Sequence, residues 1–115
     1  ELWGNYMEEL LGVKPSTHSE GVLQDIHWSM GSIGYFPTYT LGNIVAAMMR
    51  KAMIREINLY ERVASGDFKS IREWQRERIH KYGAVFAPKE LLKTSLGSEY
   101  RPEDLVDYLV EKYLK

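Results

Sequence analysis

The sequence contains no cysteine. Without thiols it has no disulfide framework and no thiolate metal site, which fits a reducing compartment. It also lacks an excess of charge of one sign, since 15 Lys and Arg oppose 16 Asp and Glu for a formal net charge of −1 at pH 7. This balance removes the usual electrostatic argument for binding to nucleic acid or to an anionic membrane. We therefore predict no nucleic-acid partner and no membrane partner.

Long hydrophobic runs and sustained polar–apolar alternation are absent as well. No stretch approaches the ~18 uncharged apolar residues that a transmembrane helix requires. No segment alternates for long enough to predict a β-strand. The sequence begins with Glu1 rather than methionine and carries no signal peptide or tag at that end. We expect this start to be a boundary within a longer protein.

Helical periodicity dominates the 115 residues, of which 44% are hydrophobic and 27% charged. This composition suits one ordinary domain or a piece of a larger one. Pro37 and Pro102 suit the first turns of helices, and Asp67 is a good N-cap. The predicted helices cover residues 2–11, 37–63, 68–82, 88–92 and 102–115. The predicted fold class is therefore all-α, a helical bundle-like unit with one long irregular loop.

The irregular segment over residues 12–36 holds four of the nine glycines and has no sustained helical period. Irregular segments of this length inside compact helical units are usually functional or disordered. Within it and just beyond, residues 21–40 contain Trp28, Tyr35, Phe36 and Tyr39 and are too aromatic for disorder. The segment is therefore the best candidate for a functional site.

Asp25 and His27 carry the most reactive chemistry of that segment. They lie two positions apart, so they share a face only where the backbone is extended. The pair is either a base with its orienting carboxylate or a buried, hydrogen-bonded loop histidine with its neighbour. As a zinc site it lacks ligands, because catalytic zinc usually has three protein ligands and the sequence contains no HExxH motif.

Two neighbouring patterns resemble a known signature. Residues 21–28 read Gly-x-x-Gln-Asp-x-His-Trp, and residues 34–42 read Gly-Tyr-Phe-Pro-Thr-Tyr-x-Leu-Gly. Together they are similar to a motif of the thermostable metallocarboxypeptidases, the carboxypeptidase Taq family. The similarity continues on both sides, for example at residues 66–74 and 108–113, and so covers essentially the whole chain.

The resemblance implies a cytoplasmic, mostly helical, homodimeric zinc (or cobalt) enzyme that removes the C-terminal residue of peptides. In that family an HExxH helix and a downstream Glu hold the metal, and arginines hold the substrate carboxylate. Those segments lie N-terminal to the similar region and are not in this sequence. We therefore expect the C-terminal part of a metallocarboxypeptidase without metal ligands, inactive when isolated from the missing N-terminal catalytic segments.

The resemblance also divides the chain and assigns residues. It implies that residues 1–115 are a single helical unit within a larger catalytic domain, with 21–42 as an active-site wall and 43–115 as helical support. In helical gluzincins a histidine and a tyrosine some eight to ten residues later point at the tetrahedral intermediate. His27 and Tyr35 occupy similar positions, which implies catalytic roles as hydrogen-bond donors to the developing oxyanion.

Three further residues receive secondary roles from the same comparison. Gln24 and Asp25 are expected to support the site or the substrate, and Asp25 is a candidate to fix the tautomer of His27. Tyr39 either lines the cleft or belongs to the core. No residue of the chain is expected to bind the metal.

Cutting such a unit out of an enzyme should expose an apolar side. We expect that side to include some of Trp28, Tyr35, Phe36 and the methionines at 48, 49 and 53, and to be covered by self-association into a homo-oligomer. The alternative hypothesis is a free-standing helical module that binds a peptide or protein through its aromatic loop and has no catalysis. A bland helical domain without a site is the third possibility. An upstream HExxH in the same reading frame would favour the enzyme.

Overall fold

The computed structural model describes residues 1–114. Over that range it contains α-helices and 3₁₀ turns and no strand, so the predicted all-α class is confirmed. The helices are α1 (Leu2–Leu11), α2 (Ile26–Ser29), α3 (Thr38–Ile57), α4 (Leu59–Ala64), α5 (Phe68–Arg78), α6 (Pro88–Leu96) and α7 (Pro102–Tyr113). The 3₁₀ turns are Val22–Gln24 and His80–Tyr82. Among residues 1–114, no helix combines the length and the hydropathy that crossing a membrane requires.

The chain groups into two compact units, one over residues 1–39 and one that begins at Thr40. The first contains α1, α2 and the irregular segment, and the second contains most of α3 and all later helices. That both form the single helical unit expected for residues 1–115 stays a prediction, as does the division into a wall segment and a support.

Several helix ends follow the local rules that the sequence predicted. Gly12 ends α1 in the left-handed region with φ 68°, and its N–H donates to the carbonyl of Glu8. Asp67 caps α5, where its carboxylate accepts from the backbone N–H of Ser70 at 3.1 Å. Pro102 occupies the first turn of α7. These positions are determined by residues within one helical turn of each other.

The helix predicted over residues 37–63 is not continuous, because Asn58 interrupts it near its C-terminal end. Asn58 adopts φ 52° and ψ 57°, the left-handed conformation that ends α3, and its carbonyl accepts from the N–H of Glu61 at 2.9 Å to begin α4. Asparagine tolerates this conformation better than most residues that carry a Cβ. The apolar periodicity continues on both sides of Asn58, so the pattern alone does not reveal the break.

The next two helices also differ from their predicted bounds. The helix predicted over 68–82 ends at Arg78, and a 3₁₀ turn separates it from Gly83. The helix predicted to end at Leu92 continues for one more turn to Leu96. Ser95, on that extra turn, donates its hydroxyl to the carbonyl of Arg78, which satisfies the open end of α5. A side chain 17 positions away therefore sets this helix end.

The core of the second unit lies where α3 meets α5. Ala52, Met53 and Trp74 form its buried cluster. Glu56 joins the two helices by accepting from the indole Nε1 of Trp74 at 2.8 Å and from Arg78 Nη2 at 2.7 Å. Met48, at 4% exposure, is buried like Met53 at 7%. Of the residues from which the exposed apolar side was expected to draw some members, these two methionines are therefore not exposed.

The first unit is packed differently. Among residues 1–39, only Gly21 is fully buried. A Cβ added there would lie 3.0 Å from Trp3 Cζ3 and 3.1 Å from the ring carbons of Pro15. The glycine that opens the segment preceding α2 therefore holds the irregular chain against α1 by close approach.

Candidate functional site

Asp25 and His27 meet through a helix cap. Asp25 has an extended backbone, with φ −82° and ψ 100°, and is the N-cap of α2. Its Oδ1 accepts from the backbone N–H of His27 at 3.0 Å and lies 2.6 Å from His27 Nδ1. From the sequence, this contact was expected only in an extended segment. The structure reaches it by a turn into helix immediately after Asp25.

The pair is shielded and electrostatically matched. The side chains of His27 and Asp25 are 16% and 19% exposed. Partial desolvation pushes the pKa of Asp25 up, but the backbone N–H of His27, its ring N–H and its positive charge together hold that pKa below the ordinary value. Asp25 therefore remains a carboxylate at neutral pH.

Tyr39 approaches the other ring nitrogen. Its Oη lies 3.3 Å from His27 Nε2, so both nitrogens of the imidazole have polar neighbours. Tyr39 lies in the first turn of α3, twelve positions after His27, and a series of turns brings it back. The backbone N–H of Ser32 donates to the carbonyl of His27 at 2.8 Å. The backbone N–H of Tyr35 donates in turn to the carbonyl of Ser32 at 3.1 Å.

Aromatic rings lie next to the imidazole of His27. The ring of Tyr35 stacks on His27 with centroids 5.0 Å apart and planes 28° from parallel. Phe36 meets the imidazole edge-on at 6.3 Å, and Tyr39 stands at 85° to Tyr35. Tyr35 and Phe36 remain 50% and 59% exposed. The site is therefore a shielded carboxylate–imidazole pair beside an open aromatic surface.

Two residues of the motif point elsewhere. The amide of Gln24 donates to the carbonyl of Ser19 and braces the loop before α2. Trp28 lines a separate hollow of about 740 Å³ together with Trp3 and Pro15. The structure thus brings Asp25, His27, Tyr35 and Tyr39 together and leaves Gln24 outside that group.

The contributions of Ser32 and Phe36 to the site were not predicted from the sequence. Ser32 fixes the turn after α2 through its backbone, and Phe36 is a direct ring neighbour of His27. The signal for the turns was available, because Gly31 and Gly34 flank Ser32 and both have positive φ, 76° and 79°.

Metal ligation is a separate question from hydrogen bonding. Within residues 1–114, no three His, Cys, Asp or Glu side chains come together in a way that could hold a metal ion. Asp25 and His27 provide two such groups without a third. The donor set of the described chain therefore does not fit a catalytic metal.

Similarity to known proteins gives the site a context. The family model of the carboxypeptidase Taq (M32) metallopeptidases matches residues 1–113. The chain is 47% identical to thermostable carboxypeptidase 1 of Pyrococcus furiosus, with 99% of this chain and 23% of that protein aligned.

Solved structures agree with this match. A Pyrococcus furiosus carboxypeptidase structure superposes with a TM-score of 0.93 at 46% identity, covering 97% of this chain and 23% of that one. The metallocarboxypeptidase 1 of Trypanosoma cruzi gives a TM-score of 0.94 at 35% identity, covering 99% and 24%. The chain thus spans about a quarter of the length of the relatives that it matches. By sequence and by structure it belongs to the carboxypeptidase Taq (M32) metallopeptidase family.

Proposed function

We propose that this chain is the C-terminal part of a metal-dependent carboxypeptidase that hydrolyses the C-terminal residue of peptides. The observation that carries the proposal is the shielded Asp25–His27 pair, 2.6 Å apart, beside the half-exposed ring of Tyr35. Membership of a metallopeptidase family supports the reaction class. In this proposal the chain supplies groups that face the reacting carbonyl.

The residue types suit that role. When a peptide carbonyl is attacked, negative charge develops on its oxygen, and prearranged donors stabilise the transition state more than the ground state. His27 offers a ring N–H and Tyr35 a phenolic O–H, and both stand at one aromatic surface with ring centroids 5.0 Å apart. Asp25 supports the first donor by orienting the imidazole ring of His27 through its contact with Nδ1 at 2.6 Å.

The metal is assigned to other parts of the peptidase. The family is metal-dependent, and we propose zinc, or cobalt in its place, held by segments outside this chain. The metal would supply Lewis-acid activation of the carbonyl and of water. In this proposal His27 and Tyr35 act by hydrogen bonding alone. We further propose a cytoplasmic homo-oligomer, and the absence of cysteine is compatible with that compartment.

The test uses the whole peptidase that contains this chain. His27→Ala and Tyr35→Phe should each lower kcat by about 10²–10³-fold, the usual loss when one oxyanion donor is removed. KM and metal content should stay nearly unchanged, because the lost interaction is made in the transition state. Steady-state kinetics on a blocked dipeptide and metal analysis measure these quantities.

His80→Ala is the matched control, since His80 is an exposed histidine outside the site and should leave kcat unchanged. Loss of metal in either site variant would contradict the proposal by making that residue a ligand or a scaffold element. Full kcat in both variants would also contradict the proposal, because it would show that neither side chain stabilises the transition state.

A further inference from the structure

We propose that Asp25 and Tyr39 together hold neutral His27 as its Nδ1–H tautomer, so that Nε2 accepts from Tyr39 and donates only when the ring is a cation. Tyr39 is then a positioning residue that occupies Nε2 in the resting state. The tautomer assignment stands on the contacts of the first unit alone. Its consequence for catalysis rests on the proposed function.

The Asp25 side of the ring determines where the first proton lies. An ionised carboxylate can only accept hydrogen bonds, and Asp25 Oδ1 lies 2.6 Å from Nδ1. The lowered pKa of Asp25 keeps it ionised throughout the neutral range. Nδ1 must therefore carry a proton whether His27 is neutral or charged.

The Tyr39 side determines what Nε2 does. A neutral imidazole has one N–H, so once Nδ1 holds the proton, Nε2 presents a lone pair. Nε2 lies 3.3 Å from Tyr39 Oη, and the Tyr39 hydroxyl can donate a hydrogen bond to its lone pair. Tyr35 is the other titratable side chain against this ring, and it approaches by its face, 28° from parallel to the imidazole.

This arrangement has a chemical consequence. A neutral His27 would turn a lone pair toward a developing oxyanion, and two acceptors repel each other. The imidazolium form carries a proton on Nε2, and a charge-assisted hydrogen bond to an oxyanion is stronger than a neutral one. His27 can then stabilise a transition state only after gaining its second proton and exchanging Tyr39 for the substrate oxygen.

The first experiment reads the tautomer directly and needs no activity. On the ¹⁵N-labelled chain, a two-bond ¹⁵N–¹H correlation spectrum recorded in alkaline solution should show neutral His27 protonated at Nδ1 and unprotonated at Nε2. His18 and His80, both exposed, are internal references for histidines without a fixed tautomer. Tyr39→Phe should shift the Nε2 resonance of His27 toward that of a nitrogen without a hydrogen-bond donor.

Tyr35→Phe is the matched control, since it removes a hydroxyl and keeps a ring against the imidazole, and it should leave the Nε2 resonance in place. Asp25→Asn, which retains the helix cap, should admit the Nε2–H tautomer. A proton found on Nε2 of neutral His27, or an Nε2 resonance unmoved in Tyr39→Phe, would overturn the proposal. An unchanged backbone ¹⁵N–¹H spectrum away from the substituted residue shows that each variant remains folded.

The second experiment separates this inference from the proposed function. In the whole peptidase, His27→Ala should lower kcat, because the donor to the reacting oxygen is lost. If the spectra show the Nδ1–H tautomer while His27 variants keep full activity, the proposed function fails and the tautomer assignment stands.

Discussion

Gly21 packs closely against its neighbours in the first unit. Its backbone angles, φ −119° and ψ −114°, place it where a Cβ would press on Trp3 and Pro15. An indole and a pyrrolidine are rigid, so neither can turn aside as a flexible side chain would. The glycine that opens the Gly-x-x-Gln-Asp-x-His-Trp pattern is therefore required by close approach.

We predict that Gly21→Ala lowers the free energy of unfolding by about 1–3 kcal/mol, the usual cost of overpacking a filled site. Gly4→Ala is the matched control, because nothing lies within 4 Å of a Cβ at that position inside α1. There the substitution should raise the free energy of unfolding by about 0.5–1 kcal/mol, since alanine is the better helix former. Urea unfolding followed by circular dichroism measures both. Equal effects of the two substitutions would contradict the packing role.

At the scale of a helix, the start of α5 is the best-defined electrostatic feature. Asp67 Oδ2 accepts from the hydroxyl of Ser70 at 2.6 Å and lies 3.1 Å from Arg62 Nη1, while Oδ1 accepts from the Ser70 backbone. The hydrogen bonds from Ser70, with the charge of Arg62, hold the pKa of Asp67 below its ordinary value of 3.8. The ionised carboxylate is thus the form that caps the helix.

This lowered pKa predicts a dependence of stability on acid. Below about pH 5 the unfolded chain begins to bind a proton at Asp67 that the folded chain does not, so the free energy of unfolding falls as pH decreases. The contribution is fully present above the unfolded pKa and is lost as pH falls through the folded one. Urea midpoints of the wild type and of Asp67→Asn, measured from neutral to acidic pH, should differ at neutral pH and converge in acid.

Asparagine keeps the cap and removes the charge, so this comparison isolates the carboxylate. A difference in midpoint that stays constant with pH would show that Asp67 acts through packing or shape.

At the scale of the whole chain, the exposed apolar surface stands out. Many large apolar side chains of residues 1–39 face solvent, among them Leu10 at 75%, Ile33 at 83% and Phe36 at 59%. In the second unit, Val106 and Tyr113 of α7 are 57% and 66% exposed. Monomeric proteins seldom leave contiguous apolar patches beyond a few hundred Å² uncovered.

We therefore predict that the 115-residue chain on its own self-associates, most simply as a C₂ dimer in which one patch covers its copy. Sedimentation equilibrium over a range of concentrations should give a mass above 13.4 kDa, and binding of a hydrophobic dye should fall as the chain associates. A monomer at every concentration that binds no dye would contradict the prediction. Phe36→Ser should weaken association if the aromatic loop takes part.

The features that could be predicted from the sequence are those that depend on residues close to each other along the chain. Gly12, Asp67 and Pro102 mark helix ends by their own backbone preferences and by hydrogen bonds to residues within one turn, so their effect can be read in the sequence. Asp25 and His27 belong to the same class, because their contact is made inside one helix cap. The all-α class follows from the same local periodicity.

Other features depended on residues that are distant in the sequence. Apolar periodicity does not show that Asn58 turns left-handed between α3 and α4, or that Ser95 meets the end of α5. It does not show that Gly21 is pressed between Trp3 and Pro15, or that Tyr39 returns to Nε2 of His27. Each of these contacts depends on how whole segments pack, and packing energy is shared among many weak contacts that no short pattern records. The sequence by itself therefore determined the all-α class, several helix ends and the Asp25–His27 pair, and the tertiary structure decided the other helix ends and which groups surround that pair.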